Sequence, residues 1–330
     1  MAQSTTNAAL PEAAKALTKG LIDYAGLFPP AKLGMGPAVE NFARYLRSSQ
    51  APMLGRFVCP AARLNEVTKA GQMLMPGTFA TSGYPEMAGD GRPWHLSAIV
   101  PHESATPLAE SLEYIREFNH RHEDESQGLA VVDAIETPLK QVADVDALLD
   151  AVPEQLAIAM EVPVVRADGG NADIRGYIAA LAGTGAAAKI RCGGVTAEAM
   201  LPAEPIIAFM QACRTAGVPF KCTAGLHHAL PGHYRLTYED NPPTAPMQGF
   251  VNTFVAAILI GAKAIDEDTA LQIMSDDDGG NFVLTDQHVG WKDHTVSVAT
   301  AVEQRTRFAL SYGSCSFEEP TQELAELLKG

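Results

Sequence analysis

Short apolar runs alternate along the chain with longer segments in which apolar residues return every three or four positions. The runs have the unbroken aliphatic character of strands covered on both faces, and the longer segments have the period of helices with one buried side. Eight runs stand out: Leu21–Phe28, Leu54–Cys59, Leu96–Val100, Leu129–Ile135, Leu156–Val162, Ala187–Cys192, Pro219–Thr223 and Phe282–Thr285. The spacing between them predicts helices over Gly36–Ser49, Ala61–Met73, Pro107–Phe118, Val142–Ala151, Ala172–Ala182, Pro205–Ala216, Gly249–Ala264, Asp268–Met274 and Val296–Leu310. Strand and helix in alternation make a parallel sheet with helical crossovers, and eight such units close into a (β/α)8 TIM barrel.

Such a barrel takes about 250 residues, and 330 are present. Residues 1–330 therefore read as a single barrel domain whose surplus lies in four places. These are an N-terminal helix within 1–20, a long loop after strand 2 (Pro76–Pro93), another after strand 7 (Leu226–Met247), and a C-terminal tail over 311–330 with a short amphipathic segment, Gln322–Leu328. Leu21–Phe28 admits a second reading, as the end of the N-terminal helix that starts near Pro11. The loop after strand 7 carries His233, Tyr234 and Tyr238. It lies on the face where barrel enzymes do their chemistry, so it reads as a lid, although exposed loop tyrosines are also commonplace.

Composition narrows the partners. Hydrophobic residues make up 47% of the chain, which excludes a disordered polymer. Against 24 Lys and Arg stand 39 Asp and Glu, a net charge of −15 that disfavours nucleic acid and anionic membranes. Five widely spaced cysteines without a C-x-x-C pair read as reduced thiols. Met1–Pro11 lacks the character of a secretory signal, and the apolar stretch Phe254–Ala262 is far shorter than a membrane span. The expectation is a cytoplasmic homo-oligomer acting on a small molecule. Gly183-x-Gly185 precedes a strand, so no dinucleotide fingerprint is present, and neither a Walker motif nor a G-x-S-x-G elbow occurs.

Two lysines carry the chemical signal. Lys189 lies in Ala188-Lys189-Ile190-Arg191-Cys192-Gly193-Gly194, and Lys221 in Phe220-Lys221-Cys222-Thr223-Ala224-Gly225. Each interrupts a run that otherwise reads as a buried strand, where a charge costs solvation free energy. Side by side near a barrel axis, the two would favour the neutral amine in each other, as a Schiff-base nucleophile requires. The alternative is that both point outward among the helices and snorkel to solvent. Acids accompany them: Asp23 in the first strand, Asp133 and Glu136 in and just past the fourth, and Glu161 near the end of the fifth. Asp23 and Asp133 interrupt apolar runs, whereas Glu136 and Glu161 also fit loop caps.

The stretch Lys189–Gly225 resembles the core of the deoxyribose-phosphate aldolase family, the class I aldolases that act through a lysine Schiff base. That family carries a reactive lysine in a Lys-Thr-Ser-Thr-Gly strand and a second lysine in a Phe-Lys-x-Ala-Gly-Gly strand, matched here by Lys189 of Lys-Ile-Arg-Cys-Gly and Lys221 of Phe-Lys-Cys-Thr-Ala-Gly. Arg214–Val218, Leu21-Ile22-Asp23 and Phe57-Val58-Cys59-Pro60 are also similar, and Val132-Asp133 falls where the family keeps an acid beside its reactive lysine. The resemblance implies Lys189 as imine-forming nucleophile, Lys221 as the charge that favours its neutral form, Asp133 as proton relay and Asp23 as positioning acid. No cofactor is implied.

Departures redirect the substrate. Thr-Ser-Thr is replaced by Ile190-Arg191-Cys192, and the second glycine of Ala-Gly-Gly by Leu226. The family's last strand ends in a Gly-Ser turn that holds phosphate, whereas the expected last strand here runs into Thr285-Asp286. Arg191 shares the face of Lys189 and could grip a carboxylate, so a 2-oxo acid fits better than a sugar phosphate. Arg191, Thr223, Glu136, Glu161, His102 and His228 are the residues expected to contact substrate.

Two other functions fit parts of this pattern. His102, His228 and Glu161 at strand ends could bind a divalent metal in a barrel lyase or hydrolase, although no H-x-H or H-E-x-x-H spacing supports it. If the lysines face the helices, the chain is instead a metabolite-binding barrel without chemistry.

Overall fold

The computed structural model describes residues 10–84, 91–101, 105–165, 170 and 172–329. Eight parallel strands close into a barrel: β1 (Ile22–Tyr24), β2 (Leu54–Pro60), β3 (Trp94–Ile99), β4 (Ala130–Pro138), β5 (Ala157–Glu161), β6 (Ala187–Arg191), β7 (Phe220–Thr223) and β8 (Ala309–Ser314). Each strand pairs with its neighbours in chain order, and β8 closes the ring between β7 and β1. The (β/α)8 architecture is as the hydrophobic pattern predicts.

The eighth strand is a correction. Phe282–Leu284 instead opens a three-stranded antiparallel sheet with His288–Trp291 and His294–Ser297. The true eighth strand, Ala-Leu-Ser-Tyr-Gly-Ser, has small and polar residues facing inward and so lacks an aliphatic run. The helix expected over Val296–Leu310 spans Val298–Arg307, and its expected end is the start of β8. Residues 311–330 therefore form no tail: they complete β8 and supply the helix Glu318–Leu327. Near the N-terminus the helix is Glu12–Thr18, and β1 follows as a separate element. In Pro76–Pro93 a short helix, Phe79–Gly83, forms, while 85–90 lie outside the described residues. The loop after β7 is a β-hairpin, Gly232–Arg235 paired with Thr244–Met247.

Outward-facing strand residues build the ordinary core. Phe57 packs on Phe42 at 5.3 Å between ring centroids, Phe220 on Phe209 at 5.6 Å, and Tyr312 stacks on Phe250 at 5.6 Å. One hydrophobic cluster runs from Ala13 to Leu324. The helix Phe250–Gly261 is buried on every side because the helix Glu267–Ser275, the small sheet and Val298–Arg307 cover its outer face. That explains the apolar stretch around Phe254 without a membrane, and no described helix is long and apolar enough to cross one.

The barrel lumen is different. Barrels of this kind are usually filled by branched aliphatic side chains. Here the inward positions include Asp23, Arg56, His95, Ser97, Asp133, Glu136, Glu161, Lys189, Lys221 and Ser311, joined by hydrogen bonds. Near the strands' N-terminal ends Arg56 grips Asp133 through Nε at 2.7 Å and Nη2 at 3.0 Å, and His95 Nδ1 lies 2.9 Å from the same carboxylate. Burial opposes the charge on Asp133, but His95 and Arg56 overcome it and lower the pKa to about 2.

A depressed folded-state pKa adds stability above the unfolded value, and that stability is lost as pH falls through the folded value. For Asp133 the window runs from 3.8 down to about 2. In urea titrations an Asp133→Asn protein should show a shallower loss of stability across this range than the wild type. Parallel curves would mean that the pair does not titrate with folding.

Candidate active site

Lys189 and Lys221 sit side by side in the ladder between β6 and β7, and Glu161 registers with Lys189 from β5. Strand alternation turns Ile190, Phe220 and Cys222 into the helix layer and both lysines into the lumen. The outward, snorkelling alternative does not occur. Nor do the lysines meet as bare like charges. Lys221 Nζ lies 2.6 Å from Asp23 Oδ2 and 2.7 Å from Glu136 Oε1, while Lys189 Nζ lies 2.8 Å from Glu136 Oε2 and 2.9 Å from Glu161 Oε2. Arg191 then closes on Glu161, with Nε 2.8 Å from Oε1 and Nη2 3.4 Å from Oε2.

The result is a chain of alternating charge, Asp23–Lys221–Glu136–Lys189–Glu161–Arg191, with three acids and three cations. It climbs from the sealed lumen to the mouth: side-chain exposure is 1% at Asp23, 19% at Glu161 and 55% at Arg191. Further donors bind the buried acids. Ser311 donates to Asp23 Oδ2 at 2.7 Å, the Arg56 amide to Asp23 Oδ1 at 2.8 Å, and Ser97 to Glu136 Oε1 at 2.8 Å. Gly55 has no side chain because a Cβ there would lie 2.3 Å from Asp23 Oδ1.

Electrostatics sort the groups. Burial opposes the charge on Glu136, but Lys189 and Lys221 reverse this and hold its pKa far below the carboxylate range. Glu161 is lowered too, as Lys189 and Arg191 outweigh its burial. Burial favours a neutral Lys221, yet Asp23 and Glu136 more than compensate, and its pKa rises above the ordinary lysine value. The expectation that both lysines are driven toward the neutral amine therefore fails for Lys221, whose two carboxylate partners keep it cationic.

Several other expected residues fall elsewhere. Asp133 touches Arg56 and His95, not a lysine, and the acid shared by both lysines is Glu136, three residues further along β4. A register shift in the β3–β4 ladder passes over Asp133, pairing Leu96 with Val132 and Ser97 with Ala134. Thr223 occupies the register position beside Arg191 and opposite Gly313. His228 is committed to the last helix, with Nδ1 2.6 Å from Glu323 Oε1 and its ring stacked 3.4 Å from Tyr234. Glu161 is bound by cations, and His102 lies outside the described residues. Among the described residues, no group of three or more His, Cys, Asp or Glu is arranged to hold a metal ion.

Ser97 and Ser311 were not legible as site residues. His227 is buried at the mouth, 3.2 Å from Ser314 Oγ, and burial lowers its pKa to about 4. The eighth strand ends not in Thr285-Asp286 but in the dipeptide Gly313-Ser314, which lies within β8 and pairs with Asp23 and Tyr24 of β1. Its neighbourhood is self-satisfied. The Ser316 amide donates to Ser314 Oγ at 3.3 Å, the Glu319 amide to Ser316 Oγ at 3.2 Å, and Glu318 and Glu319 open the following helix.

The loops after β6 and β7 touch backbone to backbone. Gly225 has φ of +73°, and a Cβ there would lie 2.8 Å from Gly193 Cα and 3.0 Å from Cys192 C. Gly225→Ala should destabilise the protein by about 2 kcal/mol or more, read by urea unfolding. Gly20→Ala is the control, with φ of +57° but nothing within 4 Å, and should cost less. Equal costs would show that the close approach contributes nothing.

No family model matches the chain, and no curated protein matches it. Among solved structures, it is similar to the Bacillus cereus spore cortex-lytic enzyme SleL with a TM-score of 0.37 and 9% identity, over 94% of this chain and 74% of that one. A likeness this distant says nothing about chemistry.

Proposed function

We propose that the chain is a class I aldolase-type carbon–carbon lyase in which Lys189 forms a Schiff base with a small carbonyl compound. The observation that carries the reading is the asymmetry of the lysine pair. Both lysines are buried at one level of the barrel, but Lys221 is held between the buried carboxylates of Asp23 and Glu136, whereas Lys189 shares Glu136 and pairs on its other side with the partly exposed Glu161. Lys221, held by its two carboxylates, lies beside Lys189 in the ladder as a neighbouring positive charge. Glu136 and Glu161, both at hydrogen-bond distance from Nζ, are the acid–base partners. Once formed, a protonated imine is the electron sink for breaking or making the adjacent C–C bond.

Incubation with small aldehydes and 2-oxo acids, followed by borohydride reduction and intact mass, tests the proposal. A mass increase equal to the reduced adduct is expected with at least one carbonyl. No adduct with any member of the panel would remove the reading.

A further inference from the structure

The site poses a chemical problem that its mouth can solve. An ammonium cannot attack a carbonyl, and Lys189 is ion-paired to Glu136 and Glu161. Of these acids, Glu136 is also bound by Lys221 and Ser97 deep in the lumen. Glu161 is the one held from the solvent side, by the exposed guanidinium of Arg191.

Resting on the Schiff-base reading, we infer that the substrate is a 2-oxo acid whose carboxylate displaces Glu161 from Arg191, and that the released Glu161 is the proton acceptor for Lys189. The planar guanidinium already makes a two-point contact with one carboxylate, so it can receive another in the same geometry. The six-residue chain is neutral, and an arriving anion that takes Arg191 leaves Glu161 with only the Lys189 ammonium as partner. Transfer of one proton from Nζ to Glu161 turns that pair into amine and carboxylic acid. The amine lone pair then forms the C–N bond while the carbonyl π pair moves to oxygen. That oxygen leaves as water, carrying one proton shed by the nitrogen and the one held by Glu161. The protonated imine remains, and Glu161 is again a carboxylate. An aldehyde without a carboxylate leaves Glu161 held, so binding selects the substrate and generates the nucleophile in one event.

The test compares initial borohydride-trapping rates for pyruvate and acetaldehyde at subsaturating concentrations in wild type, Arg191→Met and Glu161→Gln proteins. Wild type should favour pyruvate. Arg191→Met should slow pyruvate and speed acetaldehyde, because Glu161 is then free without a substrate carboxylate. The preference should fall by about tenfold or more, the worth of a charged hydrogen bond. Glu161→Gln should slow pyruvate far more than acetaldehyde, because the wild-type reaction with acetaldehyde already proceeds while Arg191 holds Glu161. A merely structural role for Arg191 would lower both rates together, and an unchanged pyruvate preference would likewise overturn the inference. Either outcome leaves acetaldehyde adducts in place, whereas absence of adducts with both carbonyls in the wild type would reject the Schiff-base reading itself.

Discussion

Glu136→Leu should destabilise the protein by about 3 kcal/mol or more at neutral pH, because it removes the acid shared by two buried lysines and leaves an uncompensated positive charge. Lys221 would keep Asp23 and Lys189 would keep Glu161, yet the alternating chain would hold three cations against two acids. The double variant Glu136→Leu/Lys189→Met makes the prediction sharper. It deletes the middle of the alternating chain and leaves two complete pairs, Asp23–Lys221 and Glu161–Arg191. The double variant should therefore be more stable than the Glu136→Leu single, with a coupling of about 2 kcal/mol in a double-mutant cycle. Additive losses in urea unfolding would show that the two residues do not act as one charge unit.

Lys189→Met should abolish imine trapping while the protein remains folded. Glu136 retains Lys221 and Glu161 retains Arg191, although three acids then face two cations, so the urea midpoint should fall while the fold persists. Lys189→Arg keeps the charge as well and should be equally inert, since a guanidinium cannot form the imine. With the nucleophile gone, turnover of any true substrate should fall by about a thousandfold or more. Circular dichroism and urea midpoints establish folding, and intact mass after borohydride reads the chemistry. Trapping in the folded Lys189→Met protein at the wild-type rate would transfer the chemistry to another amine.

Much of the fold was legible because seven of its strands are apolar on the face that meets the helices. β8 was hidden for the same physical reason that makes the lumen unusual. Ser311 and Gly313 face inward, and only Tyr312 and its neighbours pack outward, so no aliphatic run marks the strand. Phe282–Leu284 reads as a barrel strand because it is an apolar strand of the small outer sheet, paired with His288–Trp291 and packed near the helix Glu12–Thr18. In the site, the lysines stood out as charges inside buried runs. Glu136 was harder to rank, since an acid at the end of an apolar run equally fits a loop cap, and its position opposite both lysines depends on barrel closure. Asp133 misled because spacing alone cannot reveal a register shift. Arg56, its partner, is an ordinary interruption of β2 until the ring closes.

Lys189, and not Lys221 with its two buried carboxylate partners, is the amine proposed to meet a carbonyl. Peptide mapping of the wild-type protein, reduced with borohydride in the presence of pyruvate, tests it most directly. The account predicts a single reduced adduct on Lys189. An adduct on Lys221 or confined to surface lysines, or none at all, would contradict it.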